Sequence, residues 1–272
     1  MSNEPVIRVA FFLAVFVVVA AWEAMAPRRA RQLSRRARWP ANLGIVALNT
    51  ALVRLLLPTT AVAFALLGEQ RGWGLLNIID LPRGAAVVLA VVALDLAIYL
   101  QHVLFHAVPL LWRLHRMHHA DLDIDVTTGA RFHPIEIVTS MVLKLAAIAA
   151  LGAPAEAVLI FEILLNATAM FNHANLRLPA GLDRVLRWFV VTPDRHRVHH
   201  SIVPQETNSN FGFNMPWWDR LFGTYRAQAA AGHDAMTIGI GQFRAPREQR
   251  LDRMLTQPFR DDVSTAGKGI TI

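Results

Sequence analysis

Several stretches of this chain are too long and too apolar for the interior of a water-soluble domain. Val6 to Ala26 carries a single arginine and a single glutamate. Ala41 to Leu67, Gly84 to His106, Ile135 to Gly152 and Ala155 to Phe171 are apolar in the same way. About twenty such residues in a helix cross the hydrocarbon core of a bilayer. Within that core the backbone must satisfy its own hydrogen bonds, so a continuous apolar run of this length is a helical span. Composition agrees: 54% of the 272 residues are hydrophobic, 17% are charged and the mean hydropathy is +0.35. A soluble domain carries about 25% charged residues. The fold class expected is all-α: an integral membrane helical bundle of about four spans, one of them possible as a re-entrant hairpin, under a histidine-rich helical cap.

The arginines set the orientation. Arg28, Arg29, Arg31, Arg35, Arg36 and Arg38 follow the first run at once, and such a cluster stays cytoplasmic. Although Ala24-Met25-Ala26 resembles a signal-peptidase site, the arginines favour an uncleaved first helix with its N-terminus outside. The second run carries Arg54 and is broken by Pro58, where a kink is expected. Gly68 to Pro82 is a short connection with Trp73 as an interfacial anchor, and Gly84 to His106 returns inward. Ile135 to Gly152 and Ala155 to Phe171, joined by Gly152-Ala153-Pro154, read as a hairpin that dips into or crosses the bilayer. Its second arm holds Glu156 and Glu162, which must face the protein interior unless the arm is shallow. The formal charge of +7 then reports topology and headgroup contact, not nucleic-acid binding. Residues 1–225 are expected to form one membrane domain, with 226–272 a soluble polar tail.

Ten of the chain's 11 histidines lie between residues 102 and 200. His102 and His106 are four apart. His115, His118 and His119 form an HxxHH, and His196, His199 and His200 form a second. Positions three and four apart share a helix face, so each group aims several imidazoles at one place. Thr192-Pro193 starts the later helix, with Thr192 as N-cap. Single histidines, His133 and His173, flank the hairpin. With the spans oriented as above, every histidine from 102 to 200 falls on the cytoplasmic side. A polar loop, Pro204 to Asn214, and an interfacial aromatic segment, Met215 to Tyr225, follow.

Neutral imidazole is the commonest protein metal ligand. Three or four ligands complete one zinc ion, so nine or ten histidines imply a pair of metals. Imidazole alone suits zinc, copper, iron or nickel. Asp95, two turns before His102, is placed either to orient a ligand from behind or to make an ordinary buried hydrogen bond. No HExxH is present and no acid stands inside either HxxHH, so a hydrolytic base is lacking. A metal pair poor in acid–base groups at a lipid–water boundary fits oxygen activation better.

The segments HVLFH, HRMHH, RFHPIE around His133, NHANL around His173, TPDRHRVHH and WDRLFGTY together resemble the fatty acid hydroxylase / sterol desaturase superfamily, over about Leu94 to Tyr225. The resemblance implies a membrane-bound, O₂-dependent, non-haem enzyme with two iron ions that hydroxylates an aliphatic lipid, fatty acyl or sterol-like. Desaturation on the same site is the alternative. It also implies iron in place of the zinc that isolated protein can hold. By resemblance the metal ligands are His102, His106, His115, His118, His119, His173, His196, His199 and His200. His133 matches a histidine found in part of the family, as a tenth ligand or as a donor behind one. Arg177 stands where some lipid hydroxylases carry a further histidine. Asn208, Asn210, Trp218 and Asp219 match family text and are read as folding the cap. The chain has no cysteine and no flavin or NAD fingerprint, so electrons must come from an external donor of ferredoxin or cytochrome type. A bis-His haem carrier needs single histidines near mid-membrane, and a metal transporter needs ligands along its spans. The clustered histidines argue against both, and the missing base argues against a zinc hydrolase.

Overall fold

The computed structural model describes residues 4–57 and 59–261, with the side chains of residues 4 and 5 left aside. Pro58, the expected kink, and residues 262–272 of the expected tail lie outside the described residues. Six long or paired helices build the bundle: α1 (Glu4–Met25), α2 (Arg35–Leu56), α3 (Ala61–Gln70), α4 (Arg83–Ala107), α6 (Pro134–Leu151) and α7 (Ala155–Asn172). Between α4 and α6 lies α5 (Pro109–His119); α8 (Ala180–Leu186) and α9 (Pro193–His199) follow α7. No strand forms among the described residues; isolated bridges join Pro27 to Leu176 and Ser201 to Ile238. The second apolar run is two helices. α2 starts at Arg35 because the Ser34 hydroxyl accepts from the Ala37 N–H at 3.3 Å, and Thr60 caps α3 in the same way at 3.1 Å.

Five segments are long and apolar enough to cross a membrane: Val6–Met25, Arg35–Gln70, Arg83–Ala107, Pro134–Leu151 and Ala155–Asn172. Their directions follow from contacts at their ends. Pro27 pairs with Leu176 just beyond α1 and α7, so these packed helices run parallel. At the other end Arg83, the first residue of α4, pairs with Glu69 of α3 at 2.9 Å and with Glu156 of α7. The α6–α7 turn therefore reaches the far end of the bundle, level with the start of α4, and the hairpin runs its full length. Glu156 lies in this end cluster. Glu162 faces the interior, where Lys144 of α6 at 2.6 Å and Arg8 of α1 at 2.9 Å neutralise it. Trp73 sits at the same far end, packed on Phe64 at 5.7 Å between ring centroids. The membrane core joins Ala61, Val62 and Ala65 of α3 to Ala90, Leu94 and Ile98 of α4 and to Ala157, Val158 and Phe161 of α7. Small residues at these contacts bring the helices close.

Gly152 ends α6 in the left-handed region (φ 66°), and a Cβ there would lie 2.3 Å from the Trp73 carbonyl oxygen. Gly152→Ala combines that collision with about 1–2 kcal/mol of backbone strain. The melting temperature of the detergent-solubilised full chain is expected to fall by about 2–4 °C per kcal/mol lost. Gly181→Ala, whose Cβ would meet nothing within 4 Å, is expected not to lower it.

The cap sits where α4 and α7 end and α2 and α6 begin. Residues 226–261, expected as a tail, are part of it. Met236 and Ile238 share a core with Ile124 and Val198, and Met254 packs on Met117, Ala41 and Ile45. The Gln249 side chain accepts from Arg131 at 2.7 Å and donates to the Ala120 carbonyl at 2.9 Å. These scattered apolar residues have no periodicity, and a polar average concealed them.

Candidate metal centre

At the cap end of the bundle, nine imidazoles meet in two adjoining groups. One holds His102, His106, His115, His119 and His199; the other holds His118, His173, His196 and His200. Within each group the candidate donor atoms lie within 4.8 Å of one another. Helix geometry produces the division. In α5 the i, i+4 pair His115 and His119 turns to the first group, while His118, 100° of helix away from His119, turns to the second. In α9 and the residue after it the pattern reverses: His196 and His200 enter the second group and His199 the first. Each HxxHH thus feeds both groups, and the two halves interlock, with the His119 and His200 rings 4.6 Å apart. α4 delivers His102 and His106, then breaks at Val108, and Pro109 restarts the chain as α5. Thr192 occupies the N-cap position of α9 as expected, but its side chain accepts no cap hydrogen bond.

Six of the nine rings are held from behind by acceptors. The Nδ1–H of His102 donates to the Phe211 carbonyl at 2.7 Å, that of His118 to Arg131 at 3.1 Å, that of His173 to Ala169 at 2.7 Å and that of His199 to Ser209 at 2.7 Å. His115 Nδ1 donates to the Glu136 carboxylate at 2.6 Å, and His106 Nδ1 to the Asn208 side-chain oxygen at 3.1 Å. These acceptors fix the tautomer and leave each Nε2 a bare lone pair. Yet His102 Nε2 and His115 Nε2 stand 3.1 Å apart, as do those of His118 and His173. Two lone pairs cannot hydrogen-bond to each other. Two donors at a right angle around an ion with ~2.1 Å bonds have about this spacing. Moreover His106 Nε2, His199 Nε2 and both nitrogens of His119 and His200 are buried without a hydrogen-bond partner. Buried polar atoms are rarely left so. The donor set fits two metal ions.

Electrostatics agree. Burial first, and neighbouring imidazoles second, push His118, His119, His196 and His200 well below the usual imidazole range. Burial brings His173 down to about 4 and His199 to about 3. At neutral pH these rings are uncharged, the form that binds metal.

Behind the centre, the loop from Ala120 to Arg131 is tied to α2 by a buried network. Arg38 donates from Nε to Asp121 at 2.8 Å, from Nη1 to Asp125 at 2.6 Å, and from Nη2 to Asp121 and to the Asp123 carbonyl at 2.6 Å each. Glu23 of α1 accepts the backbone N–H of Val126 at 2.8 Å and of Asn175 at 2.7 Å. Both loops beside the imidazoles are thus fastened to the first two spans.

Two sequence expectations change, those for His133 and Asn208. His133 joins neither group; its Nδ1 accepts from the Ile135 N–H at 3.2 Å as the N-cap of α6, and its Nε2 lies 3.3 Å from the Leu255 carbonyl. Asp95 takes the second of its two expected places, an ordinary buried hydrogen bond: it accepts from the Trp218 indole at 2.8 Å and the Met215 N–H at 3.3 Å, fastening the aromatic segment to α4. The carboxylate that does meet a candidate ligand is Glu136, within the RFHPIE segment but not singled out by its spacing. Asn210 and Asp219 fold the cap as expected. Asn210 bonds the backbone of Arg195 and Arg226, and Asp219 accepts the N–H of Phe211 at 2.8 Å and of Gly212 at 3.0 Å. Asn208, by contrast, holds His106. Arg177 is exposed.

Comparison with known proteins bears on this arrangement. The profile of the fatty acid hydroxylase family matches residues 87–224. An ornithine lipid hydroxylase of Rhizobium tropici is 34% identical over 145 residues, 53% of this chain and 43% of that protein. An alkylglycerol monooxygenase of Xenopus tropicalis is 30% identical over 156 residues, 56% of this chain and 34% of that protein. A very-long-chain aldehyde decarbonylase of Oryza sativa is 32% identical over 172 residues, 59% of this chain and 27% of that protein. The chain spans less than half the length of these curated relatives. No solved structure matches it.

Proposed function

The chain belongs to the fatty acid hydroxylase family, and from that premise we propose that it hydroxylates an aliphatic membrane lipid with O₂ at a di-iron centre. The observation that carries this reading is the pair of adjoining, buried, all-imidazole groups. The names of the relatives, lipid hydroxylase and monooxygenase, support the same chemistry. When bound, two irons supply O₂ activation and cleavage of an unactivated C–H bond. The nine imidazoles would hold them, and the carbonyls behind His102, His118, His173 and His199 keep the lone pairs of those four rings aimed inward. Burial of the rings excludes bulk water. One oxygen atom of O₂ enters the alcohol and the other leaves as water, with electrons from an external ferredoxin- or cytochrome-type donor. The six arginines after α1 lie at the cap end, so the centre belongs on the cytoplasmic side.

Lipid extracts from cells with and without the expressed chain, compared by mass spectrometry, test the proposal. A lipid heavier by one oxygen is expected. Loss of two hydrogens would assign desaturation, and unchanged lipids would refute both.

Glu136 acts through His115. Glu136→Ala is expected to lower iron affinity about 10–100-fold, read as iron retained after dialysis against a chelator. Glu136→Gln, which keeps an acceptor for the His115 N–H, is expected to retain more iron than the alanine variant.

A further inference from the structure

Two short helices beside the metal centre leave an apolar face uncovered. α8 and the turn that prolongs it bury Arg187 and half-bury Asp183 and Leu186, while Leu182, Val185, Trp188 and Phe189 are exposed, Phe189 by 67%. Leu182, Val185 and Phe189 stand at i, i+3 and i+7, on one helical face. In the helix Trp217–Leu221, Trp217 and Leu221 stand at i and i+4 and both are exposed, Leu221 by 69%; Phe222, also exposed, follows. Contacts join the two helices into one surface. The Trp217 indole donates to the Trp188 carbonyl at 2.7 Å, and Arg220 donates to the Arg187 carbonyl at 3.1 Å. The Arg220 guanidinium also lies 4.1 Å from the centroid of the Trp188 ring. An exposed apolar patch of this kind marks a contact surface.

The level of this surface along the bundle says what covers it. Trp218 and the Met215 N–H bond Asp95, and Phe222 stacks on Tyr99 at 5.4 Å. Asp95 and Tyr99 stand seven and three residues before His102 on α4, about 10 and 5 Å towards the bilayer. α7 gives the same level. Thr168, five residues before His173 and so about 7 Å towards the bilayer, donates to the Asn214 side chain. Val191, just after α8, donates to the Asn214 carbonyl at 3.0 Å. Two spanning helices thus hold the surface on the bilayer side of the metal centre, not on the outer face of the cap. Its charges suit headgroups. Asp183 is paired with Arg187 and Asp219 with Arg195, whereas Arg184 and Arg220 have no carboxylate partner among the described residues. Large apolar side chains on one face, tryptophan among them and arginine at the edge, make an interfacial helix.

We propose that α8 and the helix Trp217–Leu221 form a plate embedded in the leaflet on the cap side. Leu182, Val185, Phe189 and Leu221 lie among acyl chains, with Arg184 and Arg220 at the headgroup boundary. The partner is the lipid surface itself, and the inference holds whatever reaction the centre performs.

The chain has no cysteine, so single thiols can be placed without removing any. Val185→Cys, Phe189→Cys and Leu221→Cys full-length proteins, in vesicles of phosphatidylcholine and phosphatidylglycerol, are labelled with a nitroxide. A nitroxide at Arg250, largely exposed on the cap, supplies the aqueous reference, and one at Leu164, exposed on the α7 span, the acyl-chain reference. At all three plate positions the ratio of collisions with oxygen to collisions with an aqueous nickel chelate is expected to exceed the Arg250 ratio several-fold and to approach the Leu164 ratio. Ratios equal to that at Arg250 would place the surface in water and overturn the proposal. Nitroxides shielded from both reagents would overturn it as well, because a second copy or another protein would then be the cover.

Discussion

Arg38→Leu is expected to unfasten the loop behind the metal centre and to cost more stability than any other single replacement in the cap. The guanidinium is fully buried and bonds Asp121, Asp125 and the Asp123 carbonyl at 2.6–2.8 Å. Removing one partner of a buried ion pair costs about 3–5 kcal/mol, because the remaining charge has no solvent. Here two carboxylates lose their main partner, leaving Arg131 at 3.7 Å from Asp121. Against a total of about 5–15 kcal/mol for a typical protein, that is a large share of the stability. His118 and His119 immediately precede this loop, so iron should be lost with it. Arg38→Lys keeps the charge but not the planar fork and is expected to fall between. Thermal unfolding in detergent, with iron content measured on the same samples, checks the order. An Arg38→Leu protein as stable and iron-rich as wild type would show that the network does not support the centre.

His199→Ala is the second large effect. His199 comes from α9 but serves the group built mainly by α4 and α5, so its loss opens the place where the two HxxHH motifs interlock. Lipid oxidation is expected to fall by more than the ~10–100-fold typical of removing a group behind a ligand. His133→Ala is the matched comparison. It deletes an N-cap, worth about 1 kcal/mol, and is expected to lower the melting temperature while leaving iron content and the product unchanged. Equal loss of oxidation in both variants would mean that overall stability, not ligation, sets the effect.

How much of this was legible in advance follows from the kind of signal each residue leaves. Apolar runs and repeated HxxHH spacing are local, and they located the spans and eight of the nine imidazoles, with His173 added by the family resemblance. The assignment of each imidazole to one group or the other depends on how α5 and α9 face each other, which spacing along one helix does not contain. Which carboxylate stands behind an imidazole was hidden for the same reason. Asp95 shares a helix with His102, but its carboxylate meets Trp218; Glu136 lies 21 residues after His115 and reaches it only once α6 packs beside α5. Arg38 read as one of six arginines marking the cytoplasmic side, and nothing local distinguished it from its exposed neighbour Arg36. Residues 226–261 carry too few apolar residues, too irregularly spaced, to announce a core.

The metal content of the purified full chain, measured by inductively coupled plasma mass spectrometry, tests the two-metal centre most directly. Two irons per chain is the expected result. One zinc with no iron, in protein that still oxidises lipid, would contradict it.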